Sequence, residues 1–204
     1  MDSSIGYYEK NAKEYFDKTA NIPMDDLYKE FEKYLFSGAK ILDLGCGSGR
    51  DSKYFLTKGY EVISIDGSCE MCKLAEAYIG KTVYNIKFED LNYNCEFDAV
   101  WASASLSHVK KNSILHIINN VIRTLKDEGV LYASWKNGIG ERYEGDRYYN
   151  DLSMTEIREL LDSTLFEVIK IWVSQDNLER PNSWVNIIAK KVAKKYNTEK
   201  SPIS

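Results

Sequence analysis

The residues best suited to bind a ligand lie in the stretch 40–66, which reads KILDLGCGSGRDSKYFLTKGYEVISID. Its first apolar run contains the carboxylate of Asp43 and leads into a glycine-rich turn at 45–49. A second apolar run, 61–65, ends on another acid, Asp66. In a βαβ unit, a glycine turn after one strand and an acid after the next bind a nucleoside-bearing ligand at the carboxyl ends of the strands.

The spacing of the glycines indicates which ligand this is. A dinucleotide fingerprint, G-x-G-x-x-G, presents helix N–H groups to a pyrophosphate. Counted from Gly45, its third glycine would fall where the chain has Arg50. The chain instead reads D-x-G-x-G-x-G, with Asp43 two residues before the first glycine. Because a carboxylate repels a pyrophosphate and attracts an ammonium, the pattern favours a ligand with a ribose and a cationic amino-acid end over a nicotinamide dinucleotide.

The run DLGCGSGR resembles the first motif of the class I S-adenosylmethionine-dependent methyltransferases. Through GCGSGRDS and ASLSHV the chain is most similar to the small-molecule and tellurite-resistance-like branches of that family. The resemblance covers residues 35–192. It implies that S-adenosyl-L-methionine is the cofactor, that S-adenosyl-L-homocysteine is a product, and that a methyl group passes to a small-molecule acceptor by in-line displacement.

The resemblance also implies which residues hold the cofactor. Asp43 and the glycines would surround its methionine portion, and Arg50 would pair with its carboxylate. Asp66 would accept hydrogen bonds from both ribose hydroxyls, Met71 would lie against the adenine, and Asp90 would accept from the adenine amino group. The residues implied to contact the cofactor are Asp43, Gly45, Cys46, Gly47, Gly49, Arg50, Asp66, Gly67, Ser68, Met71, Glu89, Asp90, Leu91, Trp101 and Ala102.

The acceptor side is predicted around the end of the fourth strand. His108 follows that strand, and we predict that it orients or deprotonates the acceptor, since imidazole gains and loses a proton near neutral pH. In the resembling family an N-terminal segment folds over the cofactor, so Tyr7, Tyr8 and Tyr15 are expected at its methionine end. Arginines in the acceptor pocket would favour an anionic or carboxylate-bearing molecule. The candidate substrate residues are Ser105, Arg142, Arg147, Tyr148, Arg180 and Trp184.

Strands and helices alternate along the chain. The hydrophobic periodicity predicts helices at 5–18, 25–36, 50–58, 69–79 and 114–125, and strands at 41–44, 61–65, 82–88, 97–102, 129–135, 166–174 and 183–192. A capping-box pair, Ser153 and Glu156, predicts one more helix start. This order predicts an α/β fold: a Rossmann-like three-layer sandwich around a seven-stranded, mostly parallel sheet with one antiparallel strand.

The same reading divides the chain into parts. Residues 1–36 form an N-terminal helical cap over the cofactor site, 37–192 the methyltransferase domain, and 193–204 a frayed tail. The segment 136–152 is glycine- and aromatic-rich, and we interpret it as a long loop that acts as a substrate lid.

Bulk composition narrows the function classes. The chain has 204 residues, of which 44% are hydrophobic, and a net charge of −4. This acidic balance gives no strong signal for nucleic-acid binding. The sequence has no apolar run of membrane-spanning length and no basic-then-apolar leader at its start, so we expect a cytoplasmic protein without a membrane partner. The oligomeric state is left open.

The four cysteines raise the question of a metal site. Cys69 and Cys72 form a C-x-x-C pair, while Cys46 and Cys95 stand apart. A structural zinc site needs two further ligands, and the chain has only two histidines and no second close pair of cysteines. We therefore expect reduced thiols and no metal.

Two alternatives to a small-molecule methyltransferase stay open. The first is methylation of RNA or of a protein side chain, which the acidic balance disfavours. The second is a module that binds S-adenosylmethionine without catalysis, as a sensor or a partner subunit.

Overall fold

The computed structural model of the chain describes residues 3–176 and 181–193. In these residues the helices are α1 (Ser3–Thr19), α2 (Asp25–Glu32), α3 (Arg50–Thr57), α4 (Cys69–Ile79), α5 (Ile114–Thr124) and α6 (Met154–Asp162). The strands are β1 (Lys40–Leu44), β2 (Glu61–Asp66), β3 (Val83–Asn85), β4 (Phe97–Ala102), β5 (Leu125–Lys136), β6 (Gly140–Glu144), β7 (Arg147–Asp151), β8 (Phe166–Gln175) and β9 (Ser183–Lys191). The predicted tail, from residue 194 onward, lies outside the described residues.

Seven of these strands form one sheet in the order β3-β2-β1-β4-β5-β9-β8. β1 to β5 pair in parallel, and β9 runs antiparallel to both of its neighbours, β5 and β8. The predicted Rossmann-like sheet with one reversed strand is confirmed. Its strand order reverses at β1, so the carboxyl ends of β1, β2 and β4 border the crevice where such sheets bind ligands.

The two faces of the sheet carry separate apolar cores. Side chains alternate along β1, so Ile41 belongs to one core and Leu42 to the other. The core around Leu42 is covered by α5 and α6, and the core around Ile41 by α2 and α3. Helix α2 was predicted as part of a cap, yet Phe31, which is fully buried, packs in this second core. Helix α1, by contrast, packs against α4.

Two strand predictions need correction. The third strand was predicted over 82–88, but β3 ends at Asn85, and Phe88 begins a 3-10 turn (Phe88–Asp90). The β-branched and aromatic residues there suggested a longer strand, but the neighbouring strand β2 ends at Asp66, and Asn85 is the last residue of β3 that pairs with it. The fifth strand starts at Leu125, directly after α5, and not at 129, because Leu125 pairs with Phe97 of β4.

The segment 136–152 is an antiparallel hairpin, β6–β7, and the prediction of an irregular loop was wrong. The turn joins Glu144 to Arg147 through Gly145, whose φ is +62°. A two-residue turn with glycine first is a favoured hairpin connection. The physical reason for the error is that both faces of this hairpin carry polar and aromatic residues, so no apolar alternation marks its strands.

In the described part of the chain, no helix is long and apolar enough to cross a bilayer. The predicted capping box is confirmed: the side chain of Ser153 accepts from the backbone N–H of Glu156, and the Glu156 carboxylate accepts from the N–H of Ser153.

Candidate active site

A cavity of about 500 Å³ lies where β1, β2 and β4 end, with α1 along one wall. This first cavity contains about half of the residues that the sequence predicted for the cofactor. The predicted cofactor residues on its wall are Tyr8, Tyr15, Gly45, Gly47, Asp66, Gly67, Met71 and Glu89.

The glycine turn after β1 brings bare backbone to this cavity. Gly45 has a φ of +75°, and a Cβ placed on it would lie 2.6 Å from Cβ of Ser105. A Cβ on Gly67 would likewise lie 2.9 Å from Cδ1 of Ile5 in α1. The N–H groups of Gly45 and Cys46 both donate to the carbonyl of Ile65, each at 2.9 Å, which ties the turn to β2. Glycine is needed at Gly45, because its backbone is left-handed and packs directly against the Cβ of Ser105.

Asp66 presents its carboxylate to the first cavity from the end of β2. One oxygen accepts from the N–H of Gly47 and the other from the N–H of Ser68, each at 2.9 Å. Burial raises the pKa of Asp66 despite these donors. Each oxygen keeps a further lone pair, so the carboxylate can accept two more hydrogen bonds from a ligand.

Asp43 lies beneath the glycine turn and not on the wall of the first cavity. Its side chain is 1% exposed and accepts from the hydroxyl of Ser52 at 2.5 Å, and Ser52 in turn bonds the hydroxyl of Ser64 at 2.7 Å. Burial, with the nearby charge of Asp51, raises the pKa of Asp43. A ligand in the first cavity would therefore not contact Asp43 directly, and the role of Asp43 toward a cofactor stays a prediction.

Arg50 is held by the next residue in the chain. Its Nε and Nη2 donate to Asp51 at 2.6 and 2.9 Å, and Tyr28 and Trp101 donate to the same carboxylate at 2.5 and 2.8 Å. Burial alone would raise the pKa of Asp51, but the Arg50 guanidinium and these donors hold it below its usual value. Asp51 was not predicted from the sequence. It could have been found as an acid four residues before the apolar Phe55, on the same buried face of α3.

The remaining predicted cofactor residues are near this site but not on the wall of the first cavity. They are Asp43, Cys46, Gly49, Arg50, Ser68, Asp90, Leu91, Trp101, Ala102 and Tyr7. Their roles toward a cofactor stay predictions.

Several residues on this wall were not predicted from the sequence. They are Ser4, Ile5, Lys87, Phe88, Ala104, Val109, Lys110 and Ser113. Ala104 is instructive, because its φ of +57° is a left-handed conformation that alanine adopts rarely, and no sequence pattern announces it. Phe88 could have been predicted as a wall residue only if β3 had been predicted to end before it, at Asn85.

A second cavity, of about 680 Å³, adjoins the first. The two share the residues Tyr8, Tyr15, Ser103, Ala104 and His108. Beyond these, the second cavity is lined by cationic and aromatic side chains that include Arg50, Lys136, Arg147, Tyr149 and Trp184.

The predicted substrate residues divide between the two cavities. Arg147 and Trp184 line the second cavity, and Ser105 lines the first. Arg142 and Tyr148 line neither, although both belong to the hairpin beside the second cavity. Arg180 lies outside the described residues.

Tyr8 and His108 meet at the boundary between the cavities. The hydroxyl of Tyr8 lies 2.9 Å from Nε2 of His108, and Nδ1 of His108 lies 2.8 Å from the backbone carbonyl oxygen of Tyr148. Burial, with the neighbouring Tyr15 and Tyr149, raises the pKa of Tyr8 well above its usual value, so its hydroxyl stays protonated at neutral pH.

The C-x-x-C segment contains free thiols in this structure. Potential ligand atoms of Glu9, Cys69 and Glu70 lie within 4.8 Å of one another. The Glu9 carboxylate, however, already accepts from the hydroxyl of Ser68 and the N–H of Glu70 at 2.6 and 3.3 Å. It therefore serves as an acceptor for the free N–H groups at the start of α4, and joins α1 to that helix.

Comparison with known proteins agrees with this geometry. A family model described as "Methyltransferase domain" matches residues 41–129. The methyltransferase candidate YqeM of Bacillus subtilis (strain 168) is 33% identical over 61% of this chain and 53% of its own length. An uncharacterized methyltransferase of Staphylococcus carnosus (strain TM300) is 28% identical over 80% of this chain and 83% of its own length.

Among solved structures, a Burkholderia thailandensis 1,6-didemethyltoxoflavin-N1-methyltransferase superimposes with a TM-score of 0.75. It is 20% identical and covers 93% of this chain and 85% of its own. That likeness shows the fold. The matched stretch spans about half the length of YqeM. The tellurite-resistance-like branch stays a prediction. The family match over residues 41–129, the sheet order and these relatives show a methyltransferase domain with the class I S-adenosylmethionine-dependent methyltransferase fold.

Proposed function

We propose that this chain transfers a methyl group from S-adenosylmethionine, bound in the first cavity, to a small molecule bound in the second. One observation carries the proposal: the two cavities meet at Tyr8, Ala104 and His108, at the carboxyl end of β4. A reaction between two bound molecules needs such a junction, because the reacting atoms must lie within about 3–3.5 Å of each other.

The first cavity suits the proposed donor. Its volume is in the range of sites that hold molecules of this size, about 300–1,000 Å³. Asp66 offers acceptors for ribose hydroxyls, and Met71 and Phe88 offer apolar surface for a base. Ser105 adds a buried hydroxyl on the wall with no hydrogen-bond partner in the described part of the chain. A buried polar group of this kind is costly unless a ligand pairs with it.

When bound, the donor supplies a methyl carbon on a positively charged sulfur, to which the acceptor atom bonds in line as the carbon–sulfur bond breaks and sulfur keeps the electron pair. The residues of the chain position the two molecules and move the proton that the acceptor loses. Nε2 of His108 takes the proton of the Tyr8 hydroxyl, and Tyr8 takes that of the acceptor. The Tyr148 carbonyl holds Nδ1 of His108 and orients the ring for this transfer.

A small acceptor is supported by the shape and by a relative. The second cavity is a concave site bordered by α1, β5, β7 and β9. The Burkholderia neighbour was solved with 1,6-didemethyltoxoflavin and S-adenosylhomocysteine bound. The net charge of −4 gives no support to an RNA acceptor.

Calorimetric titration with S-adenosylhomocysteine tests the donor site, with Asp66→Ala as the site variant and Asp127→Ala, on the exposed side of β5, as its matched control. The proposal expects micromolar binding to the wild type and the control, and at least 10-fold weaker binding to Asp66→Ala. An acceptor screen with the demethylated product as readout then tests catalysis. Donor binding without turnover on any small molecule would favour the binding module or a macromolecular acceptor.

A further inference from the structure

We propose that the acceptor carries a carboxylate, and that Lys136 and Arg147 bind it in the second cavity. This inference rests on the proposed function, because it names the substrate class of the same site. Both cations line that cavity, one from β5 and one from β7. Their side chains are largely buried, with exposed fractions of 6% for Lys136 and 16% for Arg147.

The charges around these two residues do not balance within the described part of the chain. Lys136, Arg142 and Arg147 all bond the single carboxylate of Glu144, at 2.9, 3.2 and 3.1 Å. Asp151 adds a second carboxylate, 2.5 Å from Nε of Arg142. Three cations thus share two anions. A buried charge without a partner is costly, so this cluster favours a ligand that brings the third negative charge.

Arg147 also has donor capacity to spare. Its Nη2 bonds Glu144, but its Nε is buried and has no hydrogen-bond partner among the described residues. The guanidinium lies over the ring of Tyr7, 4.7 Å from its centroid. A planar fork held in this way can bond a carboxylate. No neutral occupant would meet both the unpaired N–H and the excess of positive charge.

The cations lie close to the junction of the two cavities. The ring of Tyr149 lies 4.8 Å from the ring of His108, and Nζ of Lys136 lies 4.0 Å from the same tyrosine ring. Tyr149 therefore contacts both the proton-accepting histidine and one of the cations at which the proposed anion would bind. The atom that receives the methyl group is then one that carries a proton and lies a few bonds from the carboxylate, because a carboxylate has no proton to give to Tyr8.

Acidic residues also line the second cavity, but elsewhere on its wall. Asp25 and Asp26 are exposed and belong to the first turn of α2, where a negative charge is favourable. Asp176 accepts from Nε1 of Trp184 at 3.1 Å. In the described part of the chain, the ion pairs of Lys136 and Arg147 are those with Glu144.

The test compares benzoate with benzamide, which have the same shape and differ in charge. Each is titrated into the wild type with and without saturating S-adenosylhomocysteine, with phenyl phosphate as a third probe. The variants are Arg147→Gln and Arg147→Lys, and the control is Arg158→Gln, an exposed arginine of α6. Far-UV circular dichroism and the Tm confirm that each variant is folded.

We expect benzoate to bind at least 10-fold more tightly than benzamide and phenyl phosphate. Arg147→Gln should remove that preference, Arg147→Lys should restore part of it, and Arg158→Gln should leave it unchanged. Equal affinity for benzoate and benzamide, no measurable benzoate binding, an unaltered preference in Arg147→Gln, or tighter binding of phenyl phosphate would overturn the assignment. Failure of S-adenosylhomocysteine to bind would instead count against the proposed function, since the titrations without it still decide the anion site.

Discussion

The hydroxyl of Tyr8 lies 2.9 Å from Nε2 of His108 and joins α1 to the segment after β4, 100 positions away in the chain. A carbonyl oxygen can only accept, so the bond from His108 to the Tyr148 carbonyl places the ring proton on Nδ1. In the neutral ring, Nε2 is then the acceptor, and Tyr8 is the donor. The ring is thereby prepared, in the neutral state, to take a proton at the boundary between the two cavities.

Replacing Tyr8 with phenylalanine removes this hydroxyl and keeps the ring. We expect turnover on an identified acceptor to fall by about 100-fold, the usual scale for general acid–base catalysis, while the Kd for S-adenosylhomocysteine changes less than about 2-fold. Tyr84→Phe, in the exposed edge strand β3, is the matched control. Equal rates for the two variants would remove Tyr8 from the mechanism.

Gly45→Ala tests whether bare backbone is needed at the glycine turn. The added Cβ would lie 2.6 Å from Ser105 and would also strain a φ of +75°. Gly59→Ala carries similar strain, with a φ of +87°, but meets nothing within 4 Å. Each loses about 1–2 kcal/mol of stability from the left-handed backbone. Only Gly45→Ala should weaken S-adenosylhomocysteine binding, by at least 10-fold; a similar loss in Gly59→Ala would show that the effect is general.

Ser105→Ala separates a ligand-binding hydroxyl from a structural one. The Ser105 Oγ is buried without a partner among the described residues, so its removal should leave the Tm of the donor-free protein unchanged or higher. The Kd for S-adenosylhomocysteine should rise by about 5-fold, the value of roughly one hydrogen bond. Ser107→Ala should instead lower the Tm and leave the Kd for S-adenosylhomocysteine unchanged, because the Ser107 hydroxyl donates to the Ala104 carbonyl at 2.8 Å. A lower Tm in Ser105→Ala with unchanged donor affinity contradicts this assignment.

Glu144→Gln tests the cation cluster through its pH dependence. The hydrogen bond from Lys136 lowers the pKa of Glu144 to about 2. Because its pKa is lowered on folding, ionised Glu144 stabilises the folded state at pH values above the ordinary carboxyl pKa. This stabilisation is lost as the pH falls towards 2. Glu144→Gln should therefore lower the free energy of unfolding by about 1 kcal/mol at pH 7, a modest value because water screens the half-exposed side chain of Glu144. Below pH 4 the loss should become progressively smaller. Urea unfolding at several pH values measures this difference, and a constant difference would refute it.

The sequence predicted those parts of the site that are local in the chain. The turn at Gly45, the acid Asp66 and the adjoining strands follow from glycine spacing and apolar runs over fewer than thirty residues. The mostly parallel sheet with one reversed strand followed from the alternation of strands and helices and the closing hairpin. These features could be predicted because short-range backbone requirements determine them.

The rest of the site depends on contacts between distant segments. They arise from the packing of α1, the end of β4 and the β6–β7 hairpin. Examples are the Tyr8–His108 hydrogen bond, the close approach of Gly45 to Ser105, and the Glu144 carboxylate shared by three cations. Hydrophobic periodicity reports helices and strands, and it carries no information on which distant side chains meet. The left-handed Ala104 is the extreme case, since tertiary structure there overrides the residue's own preference.

A crystal structure of the protein with S-adenosylhomocysteine tests the central claim, that the first cavity holds the methyl donor. The account predicts the ligand in that cavity, with both ribose hydroxyls within about 2.6–3.2 Å of the Asp66 carboxylate and the sulfur towards Tyr8 and His108. A ligand bound elsewhere, or bound in this cavity without contact to Asp66, would contradict it.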